Sequence, residues 1–381
     1  MTAELALMQR AAEASGLSDF GDHDDFRVGL RVLLAALDDT ELPPEVGDAL
    51  QAMWLASLET RLRLVQLRHD RPEIADERIE GPLVVMGLPR TGTTALIDLL
   101  AQDPAARAPM QWETANLFPP PSRDEWAQDS RIAQLQAVFD DMASSNPIVA
   151  LGLHTFGAML PDECNSFLAL DFWSPNLVAG APLPAYSEWL GFFTPRHPYR
   201  THRWVLQHLQ AHGPSGRWTL KSPFHVFDLP GLLDEYPDAM LVQTHRDPTS
   251  LVPSMAGLYS TIRGEGPGDP RRAATGRELV ELWGTGLQRG LAARRDPAID
   301  GRVLDISHRA MLDDPLGTLR SVYDHFDLSY TDEFQDQARR WVEQPSQHTS
   351  SVRFTLADFD LDEETVDAGF GSYRTRFASY F

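Results

Sequence analysis

The sequence predicts an α/β fold, with a mostly parallel sheet flanked by helices, a helical N-terminal cap and a helical insertion. Three observations predict it. Gly81–Gly87 is a short apolar run bounded by turn residues, a glycine-rich turn follows it, and Thr94–Leu100 then reads as a helix. Strand, turn and helix in that order begin a βαβ unit. Arg217–Leu220, Ala239–Thr244 and Arg302–Ile306 read as further strands, with helical segments between them. The chain of 381 residues, 43% hydrophobic and 23% charged, is long enough for one large α/β domain with helical additions.

In order along the chain, residues 1–78 are expected to form the cap. Phe26, Leu30, Leu33, Leu34 and Leu37 recur at helical spacing, as do Leu50, Met53, Trp54, Leu58, Leu62 and Val65, with Pro43-Pro44 breaking the two runs. Residues 79–381 then form the α/β domain, interrupted at about 116–214 by the insertion. The insertion is rich in proline and in aromatic residues, among them Phe156, Phe167, Phe172, Trp173, Tyr186, Trp189, Phe192, Phe193 and Tyr199. Most of these are expected in its core, with some lining an apolar pocket.

The formal net charge is −22, which disfavours nucleic acid and anionic membranes as partners. It also means that any site for an anionic ligand must build its own positive field. Cys164 is the sole cysteine, so no intramolecular disulfide can form, and a reducing compartment follows. Met1–Gly16 lacks the pattern of a secretory signal, and no apolar run is long enough to span a bilayer, so a cytoplasmic location is expected. Of the 33 basic residues (Lys plus Arg) only Lys221 is lysine. A compact ammonium is not interchangeable with a planar guanidinium at an anion, which singles this residue out.

Three motifs carry chemistry. Gly87-Leu88-Pro89-Arg90-Thr91-Gly92-Thr93-Thr94 has the spacing of the phosphate-binding P-loop, except that Thr93 stands where the lysine should be. Its glycines permit close backbone approach to an anion, its N–H groups point inward, and Thr93 and Thr94 are expected to cap the helix. The missing lysine argues against a kinase or nucleotide hydrolase. Leu220-Lys221-Ser222-Pro223-Phe224-His225 ends a second strand, where parallel sheets bind ligands. Lys221 can donate to a transferring group, and His225 is either a general base or a structural histidine. Arg246 ends the third strand and Ser254 follows eight residues later in a helix that starts near Pro248, a spacing that lets both reach one phosphate. Alternatively, Asp247 caps that helix and Arg246 makes a surface salt bridge. No metal-ligand cluster is evident.

Taken in this order, the three motifs resemble those of the PAPS-dependent sulfotransferases (PAPS is 3′-phosphoadenosine-5′-phosphosulfate), particularly the bacterial members. The resemblance runs over nearly the whole chain, through Gly16–Gly21, Gln102-Asp103-Pro104, Trp112-Glu113, Pro161-Asp162-Glu163-Cys164, Asp313–Thr318 and Tyr373–Phe377. It implies a P-loop NTPase-like fold and transfer of a sulfo group from PAPS to a small-molecule acceptor, with 3′-phosphoadenosine-5′-phosphate (PAP) as product and no metal. It places the 5′-phosphosulfate on Arg90, Thr91, Gly92, Thr93 and Thr94, the 3′-phosphate on Arg246 and Ser254, and Lys221 near the reacting centre. His225, Glu163 and, third, His202 are the candidate bases. Two stretches depart from the pattern. Ser350-Ser351-Val352-Arg353-Phe354 replaces a Gly-x-His-x-Tyr stretch and keeps only Arg353 as a further 3′-phosphate candidate, and Ser307-His308 replaces a frequent His-Tyr pair. The acceptor is expected to offer a hydroxyl on an apolar or aromatic compound. An enzyme that uses sulfonation to drive elimination and a non-catalytic 3′-phosphonucleotide-binding protein remain as alternatives, and assembly into a homo-oligomer is left open.

Overall fold

In the computed structural model, residues 2–344 and 352–381 are described. Three helices open the chain: α1 (Ala3–Ser15), α2 (Asp25–Asp38) and α3 (Pro44–Asp70). The first strand, β1 (Leu83–Gly87), is followed by α4 (Thr93–Leu100) and by a two-residue strand, β2 (Ala106–Arg107). The next hundred residues hold a 16-residue helix, Ser130–Ser145, among shorter helical turns, up to α5 (Arg200–His212). Then come β3 (Arg217–Lys221), β4 (Met240–His245), α6 (Pro248–Ile262) and α7 (Arg271–Ala293). The remaining elements that bear on the site are β5 (Val303–Ser307), α8 (His308–Asp313) and α9 (Glu363–Phe377).

The strands form one sheet in the order β2-β3-β1-β4-β5, and every pairing is parallel. The four longer strands fall where the apolar runs predict them, within one or two residues. The edge strand β2 was not foreseen, because a two-residue pairing leaves no periodic signal. β1 is central and fully buried, and its side chains alternate between two cores. Val84 and Met86 join the larger core, whereas Leu83 and Val85 share the smaller one with α4 and the helices within residues 308–343. This is the period-two geometry of a strand covered on both faces.

The N-terminal helices share the larger core. Trp54, Leu58 and Leu62 of α3 belong to the same buried cluster as Leu220 of β3 and Trp283 of α7. A polar knot also ties α3 to the insertion. Arg61, fully buried, donates to Asp171 Oδ1 at 2.5 Å and to the Phe20 carbonyl at 2.7 Å, and lies 3.1 Å from His23 Nε2. Removing one member of such a buried pair costs about 3–5 kcal/mol, because the other is left uncompensated. Among the described residues, no helix is long and apolar enough to cross a membrane.

The aromatic residues of the insertion divide. Phe167, Phe172, Trp173, Tyr186 and Tyr199 are core, while Phe192 is largely exposed. Phe156 stacks obliquely on Phe139, at 5.3 Å between centroids, with His154 edge-on at 4.5 Å.

Candidate functional site

Because all strands are parallel, the segments leaving β1, β3, β4 and β5 emerge at one edge of the sheet, and the three predicted motifs begin there. The turn after β1 is shaped by three residues with positive φ: Gly87 (140°), Arg90 (71°) and Gly92 (92°). At Gly87 a Cβ would lie 2.6 Å from the Thr244 carbonyl oxygen of β4, so only glycine allows the two strand ends to close up. Arg90 has no such freedom. A non-glycine residue in this conformation costs on the order of 1–3 kcal/mol, and such strain clusters at ligand-binding turns.

The helix that follows begins at Gly92, which makes no side-chain cap. The expectation that Thr93 and Thr94 would cap it is therefore corrected: both lie inside the first turn, and no side chain caps its N-terminus. The N–H groups of that turn, with the positive end of the helix dipole, form an anion cradle. The Thr91 hydroxyl is committed inward, to the Leu88 carbonyl and Thr244 Oγ1, both at 2.6 Å. Thr91 can serve a ligand only through its backbone.

The two arginines of the site are linked through the turn. Arg90 donates to Ser254 Oγ at 3.1 Å and to the Leu153 carbonyl at 2.7 Å, while Arg246 donates to the Arg90 carbonyl at 3.1 Å and to Ser250 Oγ at 3.1 Å. Thus Ser254 meets Arg90, and Arg246 is tied to both through it. Asp247 caps α6 as the alternative reading had it, accepting from Thr249 N at 3.0 Å. Neither Arg90 nor Arg246 has a carboxylate partner among the described residues. Burial lowers both guanidinium pKa values, and at Arg90 the nearby Arg246 adds to the effect.

Lys221, 2% exposed at the end of β3, donates to Glu163 Oε1 at 2.5 Å and reaches Thr94 Oγ1 at 3.4 Å. The segment carrying Glu163 is docked on β3, because Cys164 N donates to the Lys221 carbonyl at 2.8 Å. Two residues that the sequence did not single out hold Glu163 in place. Asn165 Nδ2 donates to Glu163 Oε2 at 2.7 Å, and Ser222 Oγ donates to Asn165 Oδ1 at 2.5 Å. Their only signal in the sequence was adjacency to Glu163 and Lys221.

The histidines lie elsewhere. His225 is fully buried, with Nδ1 on the Tyr199 hydroxyl at 3.1 Å, and burial pushes its pKa down to about 3. His202 is equally buried, with Nδ1 on the Tyr236 hydroxyl at 2.6 Å and its pKa pushed well below the usual value. Their Nε2 atoms have no hydrogen-bond partner among the described residues, and the two histidines with Cys164 form a group of potential metal ligands, one ligand atom from each lying within 4.8 Å of the others. Residues far apart in the sequence make this grouping, so inspection of the motifs missed it. Neither ring is hydrogen-bonded to Lys221 or Glu163. Arg353 is exposed on the irregular segment before Leu356–Phe359. Its neighbour Phe354 packs on α6, where a Cβ at Gly257 would fall 2.2 Å from the ring. Ser350 and Ser351 lie outside the described residues.

Comparison with known proteins places this geometry. The model of the Sulfotransferase family matches residues 82–332. A curated relative, the omega-hydroxy-beta-dihydromenaquinone-9 sulfotransferase Stf3 of Mycobacterium bovis, is 26% identical over 295 residues, 74% of this chain and 72% of the relative. Among solved structures, sulfotransferase STF9 from Mycobacterium avium superposes with a TM-score of 0.87 at 27% identity, covering 99% of this chain and 97% of that one. Sulfotransferase STF1 from Mycobacterium tuberculosis H37Rv gives 0.80 at 30% identity, covering 98% and 99%.

Proposed function

This chain belongs to the sulfotransferase family, and from that premise we propose that it moves a sulfo group from PAPS to the hydroxyl of a small apolar acceptor. The observation that carries the reading is an unbalanced charge. In a chain of 55 acidic and 33 basic residues, Arg90 and Arg246 sit half-buried around an uncapped helix N-terminus with no carboxylate partner among the described residues. Leaving two arginines unpaired in an acidic protein is unfavourable unless an anionic ligand completes the site.

PAPS supplies a sulfo group on a good phosphate leaving group and carries a separate 3′-phosphate. The turn N–H groups, Arg90, Thr93 and Thr94 would hold the 5′-phosphosulfate. Arg246 and Ser254 would hold the 3′-phosphate, with Arg353 added from the segment that Phe354 anchors on α6. Glu163 takes the acceptor proton as the hydroxyl oxygen forms its bond to sulfur and the bond from sulfur to the phosphate oxygen breaks. Lys221 donates to the charge that develops on the transferring and departing oxygens, so catalysis is positioning and electrostatics. Glu163 is preferred over His225 and His202 because it shares a hydrogen-bond network with Lys221, whereas the two histidines are enclosed in the core. The acceptor would lie beneath Leu153, whose carbonyl holds Arg90, and against Phe139 and Phe156. The relative named for a hydroxylated menaquinone supports an apolar hydroxyl acceptor. The intact pairing of Lys221 with Glu163 argues for a catalyst over a protein that only binds nucleotide.

The test is calorimetric titration with PAP and with AMP. Binding of PAP with at least tenfold preference over AMP is expected, and equal affinity for the two would remove the 3′-phosphate site and the donor with it. Lys221→Arg should lower turnover by about 10²-fold, in the range seen when one oxyanion donor is removed, with little change in PAP affinity. Single-turnover sulfation assays on a panel of apolar alcohols measure it.

A further inference from the structure

We infer that His308 is an additional anion-binding residue of this site, one that takes up a proton as the nucleotide phosphate binds and so ties donor affinity to pH. The inference rests on the donor reading above and adds a residue to it.

The sheet itself puts His308 there. β4 and β5 pair in parallel with His245 opposite Ser307, so the next residues, Arg246 and His308, leave adjacent strand ends on the same edge. His308 is half-buried, and its ring lies over the anion cradle: a Cβ at Gly92, the residue before α4, would fall 2.9 Å from His308 Cδ2 and 3.7 Å from Nε2. Three groups able to carry positive charge, Arg90, Arg246 and His308, therefore surround one helix N-terminus. Beside two arginines whose charge is fixed, His308 is the member of the trio whose charge can change on binding.

The carboxylates that flank His308 on α8, β5 and the segments after α8 and β4 are committed elsewhere. On α8 itself, Asp313 faces Arg309 at 3.7 Å, both exposed. On β5, Asp305 binds Arg294 and His245, each at 2.7 Å. Beyond β4, Asp247 caps α6 and faces Arg374 at 3.6 Å. Asp314, after α8, accepts from Gly317 N at 2.8 Å. His308 thus meets only positive neighbours, and burial followed by Arg246 and Arg90 pushes its pKa down to about 4.

The linkage follows. In the free protein at neutral pH the imidazole is neutral. A phosphate placed among the two guanidiniums offsets their charge and adds negative charge beside the ring, so the His308 pKa rises in the complex. Where it rises past the working pH, a proton is taken up on binding, and affinity increases as pH falls through the pKa of the complex toward that of the free protein. The informative window is about pH 8 to 6.5, since phosphate monoesters themselves protonate near pH 6.

The experiment is calorimetry of the full chain with PAP at neutral pH in two buffers of different ionisation enthalpy, on wild type, H308Q and H308K. Wild type is expected to take up about half a proton or more per PAP, and to tighten about threefold or more from pH 8 to 6.5. H308Q should bind PAP about tenfold more weakly at the acidic end, with no uptake at this position and a flat pH profile. H308K carries a permanent charge and should bind without uptake, which keeps the test valid should H308Q fail to fold. Equal proton counts in wild type and in the variants overturn the role of His308 while leaving the donor reading standing. Absence of PAP binding in wild type overturns the donor reading, and this inference with it.

Discussion

Glu163→Gln is expected to lower turnover by about 10²–10⁴-fold, the usual contribution of a positioned general base, while PAP affinity changes little. Glutamine preserves the shape of the side chain and can still bond Asn165 Nδ2, which donates to Glu163 Oε2 at 2.7 Å. What it removes is the capacity to accept a proton. It also leaves Lys221, 2% exposed, without its counter-charge. Some loss of thermal stability should therefore accompany the loss of rate, and a melting curve recorded alongside separates the two. His225→Gln is the contrast. Its ring is fully buried against Tyr199 and makes no hydrogen bond to the network of Lys221, so stability should fall while turnover stays within about threefold of wild type. Normal turnover in Glu163→Gln combined with collapse in His225→Gln would transfer the role of base to the histidine.

The difference between those residues shows what the sequence could and could not convey. Four strands were legible because each is an apolar run closed by turn residues, and β2 was not, because two residues carry no pattern. Arg90, Lys221 and Arg246 were legible as candidates because motif spacing marks the ends of strands, whereas Glu163 was a candidate only through the family resemblance. Their pairing was not. Glu163 meets Lys221 at 2.5 Å only because the segment after Pro161 folds back onto the end of β3, a contact of tertiary origin. His225 attracted attention by standing four residues after Lys221. The short helical turn Pro223–Phe227 carries it into the core, because a tight turn redirects each successive side chain in a way that counting residues does not reveal. Asn165 and Ser222 escaped notice for the opposite reason: they are small polar residues whose importance lies in what they hold.

Arg246→Ala should cost PAP binding about 2 kcal/mol or more, roughly thirtyfold, by removing a half-buried guanidinium from the phosphate it would fork. The more decisive quantity is selectivity. If Arg246 serves the 3′-phosphate, AMP binding should be nearly unchanged and the preference for PAP over AMP should collapse. A second contribution is built into the geometry, because Arg246 Nη1 also holds the Arg90 carbonyl at 3.1 Å, at a residue whose φ is 71°. Were that tie the main role, PAP and AMP would weaken together, since the turn that cradles the 5′-group would relax. Arg246→Lys tells the contributions apart further, as a single ammonium restores charge without the planar fork. The same substitution bears on His308. Burial first, then Arg246 and Arg90, push the His308 pKa down to about 4, so removing Arg246 should raise the histidine's pKa in the free protein. Burial remains, so the ring stays largely neutral in the free variant at neutral pH, while loss of the Arg246 charge raises the pKa in the complex as well; Arg246→Ala should therefore take up at least as much proton per PAP bound as wild type at the same pH. Phosphate affinity would thus fall while proton uptake persists, as expected when one of several cationic groups around a shared anion is removed and the titratable one remains.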